Sequence, residues 1–406
     1  MDASKNADQN AARWSGKRRT GMIIVVAVIA AIVIGVVVSV ALPPNSPSPS
    51  HTYRIGAILP LTGRAGMLGE NVKNGMMMAA EDINAAGGIK GARLEISFGD
   101  SKNEPKEGVA LMNRFTSLDR LPVVVSAMTP VTEPLIPLAE RTKTVVFATM
   151  VSSPTFAERS PWLFRCFTRA ETEVPPLAKI AYAQLKMRKA AAVYVDDDFG
   201  KGYADFFRAE FEKLGGKMQS ELPYERGASD FRNTLIKLKG ADIDGIYLVG
   251  YDKAMGLIPK QLREMGINTP LLANASMATP AYLEIAGDTA DGTVLLNFAF
   301  STQRPPTEQG KKLIARYKER FGEVPLVLTV IGYDIVRLIA RAIETQGGSA
   351  EQIRDGLLGI KEFQGVIGKL TVQPNREVDV PLMPLIIRGG KPVPFAPTPK
   401  PSTATP

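Results

Sequence analysis

Residues 121–154 read LPVVVSAMTPVTEPLIPLAERTKTVVFATMVSSP. The stretch uses one device twice. A short, mostly β-branched run (121–126, then 144–148) breaks off into a hydroxyl residue followed by proline. Short apolar runs bounded by turn residues read as buried strands, and the segment from Pro130 between them reads as a helix. Strand, helix, strand is a βαβ unit, which builds a parallel sheet covered by helices on both faces. In such sheets ligands bind beyond the carboxyl ends of the strands. Thr129, Met150, Val151 and Ser152 therefore stand where a binding site is expected. Thr129 suits a helix N-cap with Pro130 behind it, and a helix N-terminus offers N–H groups to a carboxylate. Each hydroxyl taken alone reads first as a plain structural cap; two on neighbouring strands of one sheet edge bring the binding reading level with it.

The same alternation continues in both directions. Strand-like runs occur at 53–59, 92–98, 190–195 and 244–249, and helical stretches at 70–85, 203–214, 230–238 and 255–265. The fold class is α/β, with doubly wound parallel sheets. At 406 residues and 45% hydrophobic content, the chain buries more than one domain's worth of core.

Composition excludes several functions. Cys166 and His51 are the only residues of their kinds, so there is no intrachain disulfide and no Cys/His zinc site. His51 lies in a Pro/Ser stretch, which removes a Ser-His-Asp triad from the folded part. The formal charge is +8, but Lys5, Arg13, Lys17, Arg18 and Arg19 concentrate much of it ahead of residue 20. The rest forms no basic stripe with interleaved aromatics, so nucleic acid is not an expected partner. Asp196-Asp197-Asp198 reads as a solvated turn and helix start, because consecutive acids cannot all converge on one ion. Gly63, Gly66 and Gly69 lack the dinucleotide spacing and no P-loop Lys follows; they serve to bend the loop toward a ligand or an opposite lobe. No cofactor or metal is expected. Met76-Met77-Met78 reads as helix core, Glu81 and Asp82 as surface charge, and Cys166 as a small buried apolar residue.

Residues 21–42 (GMIIVVAVIAAIVIGVVVSVAL) carry no charge, long enough to span a bilayer. Lys17-Arg18-Arg19 directly before them keeps residues 1–20 in the cytoplasm. We read 21–42 as an uncleaved anchor, since signal h-regions are shorter; the small residues Ser39-Val40-Ala41 leave a cleaved signal as the alternative. Residues 43–52 are a Pro/Ser linker and 396–406 a disordered tail.

Five segments carry a family resemblance: YRIGAILPLTG (53–63), GENVKNGMMMAAEDINAAGGIKG (69–91), DDDFGKGYADFFRAEFEKLGG (196–216), ASDFRNTLIKLKGADIDGIYLVGYDKAMGLIPKQLREMG (228–266) and EFQGVIGKLTVQPNREVDVPLMPLIIRGGKPV (362–393). They resemble the branched-chain-amino-acid-type (Leu/Ile/Val-binding-protein-like) solute-binding proteins of ABC transporters. The resemblance implies a type I periplasmic-binding fold of two lobes joined by three hinge crossings. Lobe 1 would comprise 53–170 and 299–366, lobe 2 171–298 and 367–395. Carried over residue by residue, it implies that Thr129 holds the ligand carboxylate, Ser152 meets its carboxylate or ammonium, Met150, Val151 and Leu68 form its wall, and Phe199 and Tyr251 cover it from lobe 2. The loop 273–277 supplies Ser276 but has no acid to pair a ligand ammonium, where amino-acid binders of the family carry one. An ammonium buried without an acid costs on the order of several kcal/mol, so oxo acids, aromatic acids and amides stand beside amino acids as ligands. The implied function is a membrane-anchored extracytoplasmic receptor, not an enzyme, that passes a small organic solute to an ABC permease. A ligand sensor or adaptor acting on another membrane partner is the alternative.

Overall fold

The computed structural model describes residues 52–395 apart from 152, 154, 303 and 304. The expected cytoplasmic tail, anchor and C-terminal tail lie outside the described residues, as do Ser152 and the linker up to residue 51. Thr52, expected in that linker, begins the first strand. Among the described residues no helix is long and apolar enough to cross a membrane.

A first sheet combines β1 (Thr52–Leu59), β2 (Arg93–Asp100), β3 (Val123–Ala127), β4 (Val145–Thr149) and β5 (Leu163–Arg165) in the order β2-β1-β3-β4-β5. Every neighbouring pair is parallel. β3 and β4 are buried from end to end, which explains their unbroken apolar runs: a strand covered on both faces has no solvent side to alternate with. Helix α1 (Gly66–Ala85) follows β1 and buries Met76 and Met78. A second sheet contains β6 (Lys189–Val195), β7 (Lys217–Tyr224), β8 (Gly245–Val249), β9 (Leu271–Ala273) and β10 (Val294–Phe298). These five are parallel in the order β10-β9-β8-β6-β7. Helices α2 (Ala170–Lys179) and α3 (Asp198–Lys213) cover one face and α4 (Ala254–Glu264) the other, each over its own apolar cluster.

After β10 the chain returns to the first core with α5 (Glu308–Phe321) and α6 (Val327–Gln346). α6 crosses α1 backbone against backbone. A Cβ at Gly75 would lie 1.8 Å from the Thr329 carbonyl oxygen, and one at Gly332 2.3 Å from that of Val72. Only glycine permits this approach. Asp82 and Glu81 are engaged beyond surface solvation: Tyr333 donates to Asp82 at 2.7 Å and Arg320 to Glu81 at 2.8 Å.

A three-stranded antiparallel sheet follows, β11 (Phe363–Gln364), β12 (Lys369–Val372) and β13 (Val378–Asp379). Ile367, Leu370, Val372 and Val378 pack in the first core, although 367–395 was expected with lobe 2. Their apolar side chains face the cluster built on β1–β5 because the small sheet folds back onto it. The chain then adds β14 (Leu382–Arg388) and β15 (Lys391–Pro394) to the second sheet. Both are antiparallel to their neighbours, so this sheet is mixed rather than purely parallel. The polypeptide thus passes between the two sheets after β5, after β10 and after β13. Phe167 and Phe298 touch with ring centroids 5.7 Å apart, and Arg169 meets Asp379 at 3.0 Å, so the three passages lie side by side.

Candidate functional site

The carboxyl ends of β3 and β4 are level, with Ala127 opposite Thr149. Immediately beyond them, Met128 has φ +77° and Met150 φ +52°. Both are left-handed conformations that a non-glycine residue adopts only where surrounding structure holds it, and such strain collects at ligand sites. Here the Met128 N–H donates to the Thr149 carbonyl at 3.3 Å, tying one strand end to the other. Below them the hydroxyls of Ser126 and Thr132 share a buried hydrogen bond of 2.7 Å.

Thr129 is half-buried and opens the four-residue helix Thr129–Thr132, with Met128 at the N-cap position. It is therefore not the cap that its sequence suggested. Pro130 has no N–H, and those of Val131 and Thr132 already donate to the Met128 carbonyl. This helix end accordingly holds fewer donors for an anion than expected. Met150 and Val151 are buried and Leu68 half-buried, all against the first core. The loop before Leu68 bends back on its own strand: Gly63 has φ +76°, and a Cβ at Gly69 would meet the Pro60 carbonyl oxygen at 2.0 Å. The glycines serve that return.

On the second sheet, Phe199 and Tyr251 pack against each other with centroids 5.5 Å apart, and Phe199 lies 4.7 Å from Tyr203. Asp197 caps α3 by accepting the Gly200 N–H at 2.9 Å and also accepts the Tyr251 hydroxyl. The reading of Asp196-Asp197-Asp198 as a helix start holds, but Asp197 also positions an expected ligand-covering ring. Burial and the Asp197 carboxylate hold the Tyr251 phenol above its ordinary range, so it stays a neutral donor. The Arg226 guanidinium stands 5.3 Å from the Tyr251 ring centroid. Ser276 donates to the Gly250 carbonyl, and Asn274 Oδ1 accepts the Gly250 N–H at 3.1 Å. The Ser276 proton is thus committed to joining two strand-end loops.

Two ionisable residues that sequence reasoning missed lie beneath these loops. Glu173, on the first turn of α2 and 1% exposed, accepts the Ala275 N–H at 2.8 Å and the Tyr203 hydroxyl at 3.2 Å. Burial pushes its carboxyl up to about 8, so it is protonated at neutral pH. Arg165 ends β5, also 1% exposed. It donates to both carboxylate oxygens of Glu377, at 2.8 and 2.7 Å. Nothing local marks either residue: each gains its role from partners 102 and 212 positions away. Among the described residues no group of three or more His, Cys, Asp or Glu is placed to hold a metal.

Two α/β units joined by adjacent passages, with strained strand ends at Met128 and Met150 on the first and the rings of Phe199 and Tyr251 beyond the strands of the second, have the architecture of a two-lobed binding protein. The chain belongs to the periplasmic binding protein family, whose profile matches residues 52–383. It is 30% identical over 339 residues to the Leu/Ile/Val-binding protein homolog 3 of Brucella melitensis biotype 1, spanning 80% of this chain and 89% of that protein. Its fold matches the branched-chain amino acid transporter substrate binding protein LivJ of Streptococcus pneumoniae in complex with isoleucine, at a TM-score of 0.74 and 23% identity over 84% of this chain and 98% of that one. It matches similarly an ABC transporter solute binding protein of Rhodopseudomonas palustris BisB5 in complex with 3,4-dihydroxybenzoic acid, at a TM-score of 0.69 and 23% identity over 86% and 99% of the two chains. The chain is a solute-binding protein of the periplasmic type and not an enzyme, and its family acts outside the cytoplasm.

Proposed function

We propose that the chain captures a small carboxylate-bearing solute between two lobes that close about the three passages, and delivers it to an ABC permease. The observation that carries this reading is the pair of strained strand ends at Met128 and Met150, which set Thr129 and Val151 at one sheet edge. In this account Thr129 and Ser152 hold the carboxylate, Met150, Val151 and Leu68 line its apolar body, and Phe199 and Tyr251 close over it. Ser276 acts by fixing the loops beside them. A branched-chain or related amino acid is the favoured solute, supported by the names of the relatives. The absence of an acid in 273–277, together with the aromatic acid on one structural neighbour, keeps oxo and aromatic acids in the same class. Residues 21–42 tether the binding module to the membrane.

The test is a thermal-shift screen of the full chain with leucine, isoleucine, valine, their 2-oxo acids and benzoate. A solute at about 100 times its Kd stabilises by about 2.7 kcal/mol, a shift of several degrees. No shift with any member contradicts the reading. Intact mass after extraction from membranes checks the tether: retention of residues 1–41 supports it and their loss removes it.

A further inference from the structure

We propose that Arg165 is a positioning residue that couples the ligand wall just beyond β4 to the third passage between the sheets. The proposal rests on the reading above in one respect, that Met150 and Val151 line the ligand. Arg165 is fully enclosed, and each face of its guanidinium has a use. Nε and Nη2 grip both oxygens of Glu377, while Nη1 donates to the carbonyls of Val151 at 3.2 Å and Ser153 at 2.6 Å. The planar fork alone gives this two-sided contact, since a lysine ammonium is a single point on a flexible stem.

The two ends of this contact matter differently. Val151 and Ser153 follow the strained Met150, in the segment where an entering solute would shift backbone. Glu377 lies just before β13, ahead of the passage to β14, and its backbone runs parallel to Arg165 as an isolated bridge, with the Arg165 N–H on the Arg376 carbonyl at 3.2 Å. Arg169 on the first passage reaches Glu377 at 3.7 Å and Asp379 at 3.0 Å. Gln373 holds the other oxygen of Asp379 at 2.5 Å. A displacement of the Val151 and Ser153 carbonyls therefore pulls on a charge network that spans two of the three passages. A packed interior transmits such a displacement rather than absorbing it.

Amide hydrogen exchange on the full chain, with no solute added, tests the coupling. Glu377→Gln keeps the shape of the acceptor and withdraws its charge; Arg165→Lys keeps the charge and loses the fork. Exchange is expected to rise about tenfold both in peptides over 373–382 and in those carrying Val151, while peptides over 93–113 stay at the wild-type rate. A rise in Glu377→Gln confined to 373–382 overturns the proposal. So does a rise spread equally over 93–113, which is what a purely structural pair would give. If Arg165→Lys does not fold, Glu377→Gln decides alone. Leucine, isoleucine, valine, their 2-oxo acids and benzoate are then added in turn to the wild-type chain: a failure of every one to bind counts against the solute reading, whereas the coupling stands or falls on the exchange pattern.

Discussion

The Glu173 carboxyl accepts the Ala275 N–H at 2.8 Å, so an acid on α2 anchors the loop that follows β9, where 273–277 itself has none. Its second oxygen accepts from Tyr203, whose ring meets Phe199. One buried group thereby supports both the Ser276 loop and the aromatic cluster.

This position has a pH consequence. The carboxyl rises from an ordinary 4.5 to about 8 in the folded chain because of burial. Between those values the folded state holds a proton that the unfolded chain has lost. Stability therefore falls as pH rises through that window and levels off above it. Asp334, raised by burial to about 6, adds a slope of the same sign at lower pH. Thermal melts of Glu173→Gln from about pH 5 to 9 are expected to lose the slope between about 6 and 8 and keep the lower one. An unchanged slope above pH 6 contradicts this account of Glu173.

Thr129→Val and Ser152→Ala are expected to weaken solute binding about ten- to a hundredfold, the effect of removing a partner from a charged hydrogen bond at roughly 1.5–3 kcal/mol. Their melting temperatures should stay near that of the wild type. Calorimetric titration with the solute that gives the largest thermal shift reads this out, and unchanged affinity in both removes these hydroxyls from the site.

Tyr251 separates ring from hydroxyl. Tyr251→Phe keeps the contact with Phe199 and loses the bond to Asp197, so affinity should fall by no more than about fivefold. Tyr251→Ala also removes the ring and should cost more than about tenfold. Equal affinities in the two variants would show that the ring does not cover the solute.

Gly332→Ala probes the frame. With the Val72 carbonyl 2.3 Å from the new Cβ, α1 and α6 must separate. The expected destabilisation is about 1–3 kcal/mol or more, measured by urea unfolding. A loss below about 0.5 kcal/mol would mean that the crossing relaxes freely.

Six strands were legible in the sequence, β1, β2, β3, β4, β6 and β8, and three of them, β3, β4 and β8, are buried from end to end. β5 and β9 have three residues each, too few for any period. β14 and β15 carry Pro384, Pro392 and Pro394, which argue against a strand in one dimension and are tolerated toward a sheet edge. Thr129, Met150 and Val151 were singled out in the sequence because strand ends are where such sheets bind, and they do follow the ends of β3 and β4. Met128 gives no sign of its left-handed backbone, since that conformation is imposed by the bond to Thr149. Glu173, Arg165 and the second role of Asp197 exist only through distant partners. That β11–β13 packs on the first core was not legible either, because strands of two to four residues carry no period that says which core they join.

The central claim is that two lobes close on a solute. Spin labels at Lys106→Cys and Lys253→Cys, both exposed and on different sheets beyond strand ends, measure it directly, with Cys166 buried and out of reach. Adding saturating leucine, or the member of the panel with the largest thermal shift, should shorten the distance between the labels by about 5 Å or more. A distance distribution that does not change when the solute is bound would contradict closure.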